Sequence, residues 1–315
     1  MASTQMIDEY TNNKGAILTA GVIYEGRKYA IAFNKDGRFF DDKSYIYEIG
    51  SITKTFTISL LCKAINDGKI SLEDTIKKHM PLDTDRHFPT IRQLATHTAG
   101  YGNYPLNLYA KQIILLLTGK DNPFLGYSHS ELIRDMAKKK LSDKKYKWNY
   151  SNFGISALGY ILGEAYENGY KTAMEDFIRR TLGLEYTTFD SKSGDFEDYW
   201  EWDKDDAYLA AGGLKSNISD MLRYAEIQMN NKLPYLRLSK IPYNAISING
   251  NYSSGLAWLI DRENGIVWHN GGTSSFNSFI GFDDKIAVII LSNIPEGYAQ
   301  LGPKIFENLI LFQKP

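Results

Sequence analysis

Tyr47-Glu48-Ile49-Gly50-Ser51-Ile52-Thr53-Lys54-Thr55-Phe56-Thr57 sets a serine and a lysine three positions apart at the head of an apolar run. Downstream, Phe56, Leu60, Leu61, Ala64 and Ile65 repeat at helical spacing and Asn66-Asp67-Gly68 supplies a stop, so a helix is expected over 51–67. On such a helix, residues i and i+3 share a face, which brings Lys54 Nζ within reach of Ser51 Oγ. A serine hydroxyl is a poor nucleophile until a base takes its proton. Burial and a cationic setting lower a lysine pKa and fit it to be that base, and the free N–H groups at a helix N-terminus favour negative charge. Taken alone, the same spacing also describes a helix-capping serine and a solvated lysine.

Two further strings stand far from this one: Tyr150-Ser151-Asn152 and His269-Asn270-Gly271-Gly272-Thr273. A tyrosine titrates at about 10, but a lysine ammonium beside Tyr150 would favour its phenolate, which accepts a proton at neutral pH. The Asn152 carboxamide has donors and an acceptor, suited to gripping Lys54 and a substrate carbonyl. The third string follows an expected strand. Glycines at a strand end let a substrate backbone approach, so His269, Gly271, Gly272 and Thr273 are candidate binding residues. A Gly272 N–H paired with the Ser51 N–H would make a two-donor oxyanion hole. Each string has a plain alternative, namely a packing tyrosine before an Asn N-cap, and a β-bulge at a Gly-Gly pair.

The chain has 315 residues, 43% of them hydrophobic and 23% charged, with net charge −1. These values fit one large domain or two closely joined lobes, and nothing in the balance asks for nucleic acid or an anionic membrane. Cys62 is the single cysteine. It allows no intrachain disulfide and reads as a small buried hydrophobe within a helix. No CxxC or HExxH pattern occurs and no apolar run reaches spanning length, so no metal, no cofactor and no spanning membrane segment is expected. Met1-Ala2-Ser3-Thr4-Gln5-Met6 lacks a basic region followed by an apolar stretch, which fits a cytosolic protein or one whose leader has been removed.

Outward from the three strings, Ile17–Tyr24 and Tyr29–Phe33 read as a hairpin turning at Glu25-Gly26-Arg27-Lys28. Helical spacing is carried by Ile91–His97, Leu108–Leu117, Ser130–Lys140, Phe153–Tyr166 and Ser219–Met229. After Tyr252 the pattern changes to short strands, Leu256–Ile260, Ile266–His269, Phe276–Phe282 and Ile286–Leu291, with turns at Asn264-Gly265 and Asp283-Asp284-Lys285. A last helix is expected over 299–312. Strands at both ends with helices between predict an α/β (α+β) fold. Its sheet lobe would come from 1–71 and 191–315, a mainly helical lobe from 72–190, and the active site would lie between them. The acidic stretch Asp195–Asp206, with Trp200 and Trp202, reads as a surface loop or as a border of the cleft.

In order and spacing, the chain resembles the penicillin-recognising serine hydrolases, in the branch of class C β-lactamases, D-alanyl-D-alanine carboxypeptidases, D-aminopeptidases and family VIII esterases. Besides the three strings, Gly68-Lys69-Ile70-Ser71-Leu72-Glu73-Asp74, Ile91-Arg92-Gln93-Leu94-Ala95-Thr96-His97-Thr98-Ala99-Gly100 and Ala211-Gly212-Gly213-Leu214-Lys215-Ser216 are similar to family segments. The resemblance implies a β-lactamase-like fold, a central antiparallel sheet flanked by helices plus a mostly helical lobe. It also implies acyl transfer, with Ser51 attacking a carbonyl while Lys54 and Tyr150 share the proton work. His97 falls in a segment whose role in the family is structural. Family habit points to the cell envelope or a secreted protein.

The third string departs from the family's KTG pattern. His269 stands where lysine would guarantee a positive charge opposite a substrate carboxylate, and Asn270 stands where a hydroxyl donor is usual. A histidine supplies charge only when protonated. Peptidase or esterase action on a small-molecule or peptide substrate, including one built of D-amino acids, therefore ranks above efficient β-lactamase action. A penicillin-binding sensor, or a protein that binds without turnover, is the third reading.

Overall fold

Glu25 and Gly26 both carry positive φ, 49° and 74°, the pair of left-handed residues that a two-residue hairpin turn requires. They join β1 (Leu18–Tyr24) to β2 (Arg27–Asn34), the hairpin read from the sequence. The structure is a computed structural model and describes residues 15–34, 37–39, 45–82, 85–105, 108, 121–190, 196–230, 232–243, 247–248, 251–295 and 301–313.

The other strands are β3 (Gly37–Phe39), β4 (Tyr47–Glu48), β5 (Lys215–Ser216), β6 (Ser247–Ile248), β7 (Tyr252–Ser254), β8 (Leu259–Asp261), β9 (Val267–Gly272), β10 (Asn277–Phe282) and β11 (Ile286–Ser292). Nine of the eleven strands among the described residues form one sheet in the order β3-β2-β1-β11-β10-β9-β8-β7-β6, with every pairing antiparallel. The first hairpin thus docks beside the last strand, so the sheet is closed by residues from both ends of the chain. β4 and β5 pair separately.

The eight α-helices among the described residues are α1 (Thr53–Asn66), α2 (Ile91–Ala95), α3 (His129–Lys138), α4 (Asn152–Ala165), α5 (Tyr170–Asp176), α6 (Leu209–Gly212), α7 (Ile218–Met229) and α8 (Leu301–Gln313). β11 is buried along its whole length because helices cover both faces of the sheet. Ile286, Val288 and Ile290 join Leu18, Phe279, Leu301 and Phe306 in a smaller cluster under α8. Ala287, Ile289 and Leu291 point the other way, into the main core. This period-two division of a continuous apolar run is how a doubly covered strand reads. α1 is buried almost all round and packs against α4 and α6.

The structure refines several expectations. Residue 51 lies in a 3-10 turn, Gly50–Ile52, and the α-helix proper starts at Thr53. Of the strand expected over Leu256–Ile260 only Leu259 and Ile260 are extended, in β8, while β7 has already ended at Ser254. Ala257, between them, adopts φ 54°, which breaks an extended run. Of the helix expected over Leu108–Leu117, all but Leu108 lies outside the described residues.

Candidate active site

The segment before α1 rests directly on β9, backbone against backbone. A Cβ on Gly271 would collide with the Ile49 carbonyl, and one on Gly50, itself at φ 45°, would sit 2.6 Å from Gly272 N. Real Cβ contacts do not come so close, so glycine is required on both sides of this junction. The Ile49 carbonyl is fixed from β10 as well, accepting from Ser278 Oγ at 2.9 Å.

β9 presents its free edge here. The Thr273 N–H donates to the Phe276 carbonyl at 2.9 Å, so 273 and 276 are a hydrogen-bonded pair. Such pairs alternate along an antiparallel ladder. Gly272, opposite Asn277, therefore belongs to a non-bonded pair and turns its N–H away from β10, toward the side on which Gly50 lies.

Ser51 Oγ is the meeting point of the polar groups. Lys54 Nζ lies 2.8 Å away, and the Tyr150 hydroxyl donates to Ser51 Oγ, also at 2.8 Å. Lys54 has no exposed surface, and burial holds its ammonium pKa well below the ordinary lysine value. Its Nζ donates to the Ala211 carbonyl at 2.6 Å and lies 5.0 Å from the centre of the Tyr150 ring. Burial also pushes the Tyr150 phenol up, away from ionisation. The phenolate expected beside a lysine ammonium is therefore not the resting state. Burial thus works against the charged form of each group that would have stabilised the other.

Tyr150 is held through its neighbours. Ser151, rather than Asn152, is the N-cap of α4: its Oγ accepts from the Gly154 N–H at 2.9 Å and donates to the Gly102 carbonyl at 2.8 Å. The Asn149 N–H donates to the His97 carbonyl at 2.8 Å, and the Ser151 N–H donates to His97 Nδ1 at 3.2 Å. His97 adopts φ 58°, a costly conformation for a non-glycine residue that persists where surroundings enforce it. Its ring centre lies 4.8 Å from that of Tyr150.

The cleft over Ser51 has a volume of about 360 Å3 and is lined by Ser51, Tyr150, Trp148, His97, His269 and the β9 edge. His97 was read from the sequence as structural; the fold gives it a structural grip and a place in the cleft wall as well. His269 Nδ1–H donates to the Asn270 carbonyl at 2.6 Å, which leaves Nε2 as an acceptor. Burial, with the Lys54 charge second, lowers both imidazoles to about 3, so His269 is neutral.

Two candidates are placed differently from the rest. The Asn152 side chain makes no bond to Lys54 among the described residues, and the Ala211 carbonyl takes that position instead. Thr273 faces the β9–β10 turn, where its Oγ1 accepts from the Phe276 N–H at 3.2 Å and its hydroxyl favours the charged form of the nearby buried Glu48 carboxylate. Trp200 belongs to the same corner, its N–H donating to Glu48 Oε1 at 2.6 Å and its Nε1–H to Ser274 Oγ at 2.7 Å. Among the described residues, no group of three or more His, Cys, Asp or Glu could hold a metal ion, and no helix is long and apolar enough to cross a membrane.

Known proteins share this arrangement of elements. The octameric penicillin-binding protein homologue from Pyrococcus abyssi superposes with a TM-score of 0.80 at 23% identity, over 98% of this chain and 77% of that one. A class C beta lactamase from Rhodobacter sphaeroides gives 0.77 at 18% identity, over 99% of both chains. By sequence, Protein flp from Staphylococcus aureus (strain MW2) is 24% identical over 301 residues, covering 84% of this chain and 55% of its own length. The chain thus spans about half the length of the curated relatives it matches. The family model for beta-lactamase matches residues 42–304, most of the sequence, and the chain belongs to that family.

Proposed function

We propose that the protein is a serine hydrolase that cleaves an amide or ester through an acyl-enzyme on Ser51. The reading is carried by one observation: Ser51 Oγ is within 2.8 Å of both Lys54 Nζ and the Tyr150 hydroxyl. In acylation, neutral Lys54 takes the Ser51 proton as Oγ bonds to the substrate carbonyl carbon, and the carbonyl electron pair moves onto oxygen. The Ser51 and Gly272 N–H groups stabilise that oxyanion, a type of contact worth about 10²–10³ in rate for each donor. As the tetrahedral adduct collapses, the leaving nitrogen or oxygen takes the Tyr150 proton, and the Lys54 ammonium returns a proton to Tyr150. Water then attacks the ester, gives its proton through the same pair, and releases the acid and Ser51.

The lowering of the Lys54 pKa by burial suits this role, since a base must be unprotonated at working pH. His269, Gly271 and the β9 edge flank the acyl group. The test is p-nitrophenyl acetate turnover together with intact-protein mass after exposure to an alkyl fluorophosphonate. Turnover and a single adduct, both absent in Ser51→Ala, are expected. Turnover that survives Ser51→Ala would refute the assignment.

A further inference from the structure

We infer that the cleft wall beside Tyr150 is a subsite for the leaving group, in which a carbonyl oxygen of that group accepts hydrogen bonds from His97 Nε2–H and Trp148 Nε1–H. This deepens, and rests on, the hydrolase reading above.

Two donors in this wall have nothing to donate to. His97 Nδ1 accepts from the Ser151 N–H at 3.2 Å, so that nitrogen carries no proton. An imidazole keeps at least one proton, and it therefore sits on Nε2. The His97 ring is 3% exposed, and its Nε2–H meets no acceptor among the described residues. The Trp148 indole is a donor only, and its Nε1–H is likewise buried without an acceptor. The two rings stand nearly perpendicular, at 84°, with centres 6.0 Å apart, and both line the cleft over Ser51. A buried N–H left unpaired is costly and calls for a partner. In a cleft wall, a ligand can bring that partner.

Position says which part of the ligand. The centres of the His97 and Trp148 rings lie 4.8 Å and 6.3 Å from that of Tyr150. Tyr150 hands its proton to the leaving atom, so groups around its ring meet the leaving group, whereas the Ser51 and Gly272 N–H groups meet the acyl oxygen. Chemistry says the rest. A carbonyl oxygen has two lone pairs and no proton, which matches two donors. Ala257 and Leu259 are the apolar members of the same lining and suit a neutral acceptor. The leaving alcohol or amine thus carries a ketone, ester or amide carbonyl. With substrates that lack one, His97 acts through Tyr150 alone.

The experiment uses the full chain and two esters, 3-acetylphenyl phenylacetate and 3-isopropenylphenyl phenylacetate. The second replaces the ketone C=O by C=CH2 at nearly the same shape, and each rate is normalised to alkaline hydrolysis. The acetyl ester is expected to show kcat/KM at least about tenfold higher, because the alkene leaves both N–H groups unpaired. Trp148→Phe keeps an aromatic ring and removes Nε1–H. It is expected to shrink that ratio at least about threefold, whatever it does to both rates together, with a thermal melt confirming the fold. Equal rates in the parent, a faster alkene ester, or a ratio that survives Trp148→Phe would overturn the inference. If neither ester gives Ser51-dependent turnover, the hydrolase reading fails separately. Titration of the free phenols, 3-hydroxyacetophenone and 3-isopropenylphenol, into isotope-labelled protein then tests the subsite alone by NMR. A downfield shift of the Trp148 indole proton, assigned through Trp148→Phe, with the ketone and not with the alkene supports the inference, whereas equal shifts or none overturn it.

Discussion

His97 grips the chain on both sides of Tyr150: its carbonyl accepts the Asn149 N–H at 2.8 Å and its Nδ1 accepts the Ser151 N–H at 3.2 Å. With the two rings 4.8 Å apart, the tyrosine has little freedom to leave Ser51. His97 is a positioning residue in this reading, and its substitution should act on turnover more than on affinity. His97→Ala leaves the Ser151 N–H unpaired, costing about 1–3 kcal/mol of stability, and should lower kcat at least about tenfold with KM nearly unchanged. His97→Asn should recover part of both losses, since asparagine tolerates positive φ and retains an acceptor. Steady-state kinetics with thermal melts check this. A rise in KM at constant kcat would assign the ring to substrate binding instead.

Lys54 should cost the fold stability while serving the chemistry. Its pKa is lowered by burial, so between the folded value and the unfolded value of about 10.4 the unfolded chain binds more protons. Stability contributed by this site therefore rises with pH and is lost as pH falls through that window. Lys54→Met should melt higher than the parent, with a margin that grows as pH is lowered, and should lose turnover about 10²-fold or more. Melting both proteins across a pH series tests the sign.

The two cleft histidines add a second acid-sensitive window. Each falls from about 6.5 to about 3 on folding. The unfolded chain binds more protons between those values, so stability is lost as pH drops from about 6.5 toward 3. The double variant His97→Asn, His269→Gln should flatten this part of the stability curve in urea titrations. An unchanged slope would mean that the imidazoles are solvated in the folded protein.

The relation between Ser51 and Lys54 was legible in the sequence because helical spacing alone places them on one face. The pairing of Ser51 with Tyr150 was not readable from spacing, and motif order supplied it. β11 read as a strand because its apolar run is short and bounded by turns, and both of its faces are indeed covered. β4 and β5 escaped notice, since two-residue strands carry no period. The acceptor for Lys54 is a backbone carbonyl at Ala211, which leaves no mark on residue type. The charge states of Tyr150 and His269 depend on burial, which no local string encodes. The left-handed backbone of His97 was equally hidden, because nothing in residue type singles out that histidine for positive φ.

Thr273 separates a substrate contact from a structural one. Its hydroxyl favours the charged form of the buried Glu48, and Glu48 accepts the Trp200 N–H at 2.6 Å while Trp200 Nε1–H donates to Ser274 Oγ, so the turn after β9 is linked to the residue three positions before Ser51. Thr273→Val removes the acceptor of the Phe276 N–H and the polar neighbour of a buried carboxylate that burial already pushes toward the neutral form, and should cost about 1–3 kcal/mol. If Thr273 acts through this tie, the loss appears in the melting temperature while KM for a neutral ester changes by less than about threefold. Thr273→Ser, which keeps the hydroxyl, should restore the melt. A large KM effect in Thr273→Val that serine rescues without any change in stability would instead put the hydroxyl on the substrate.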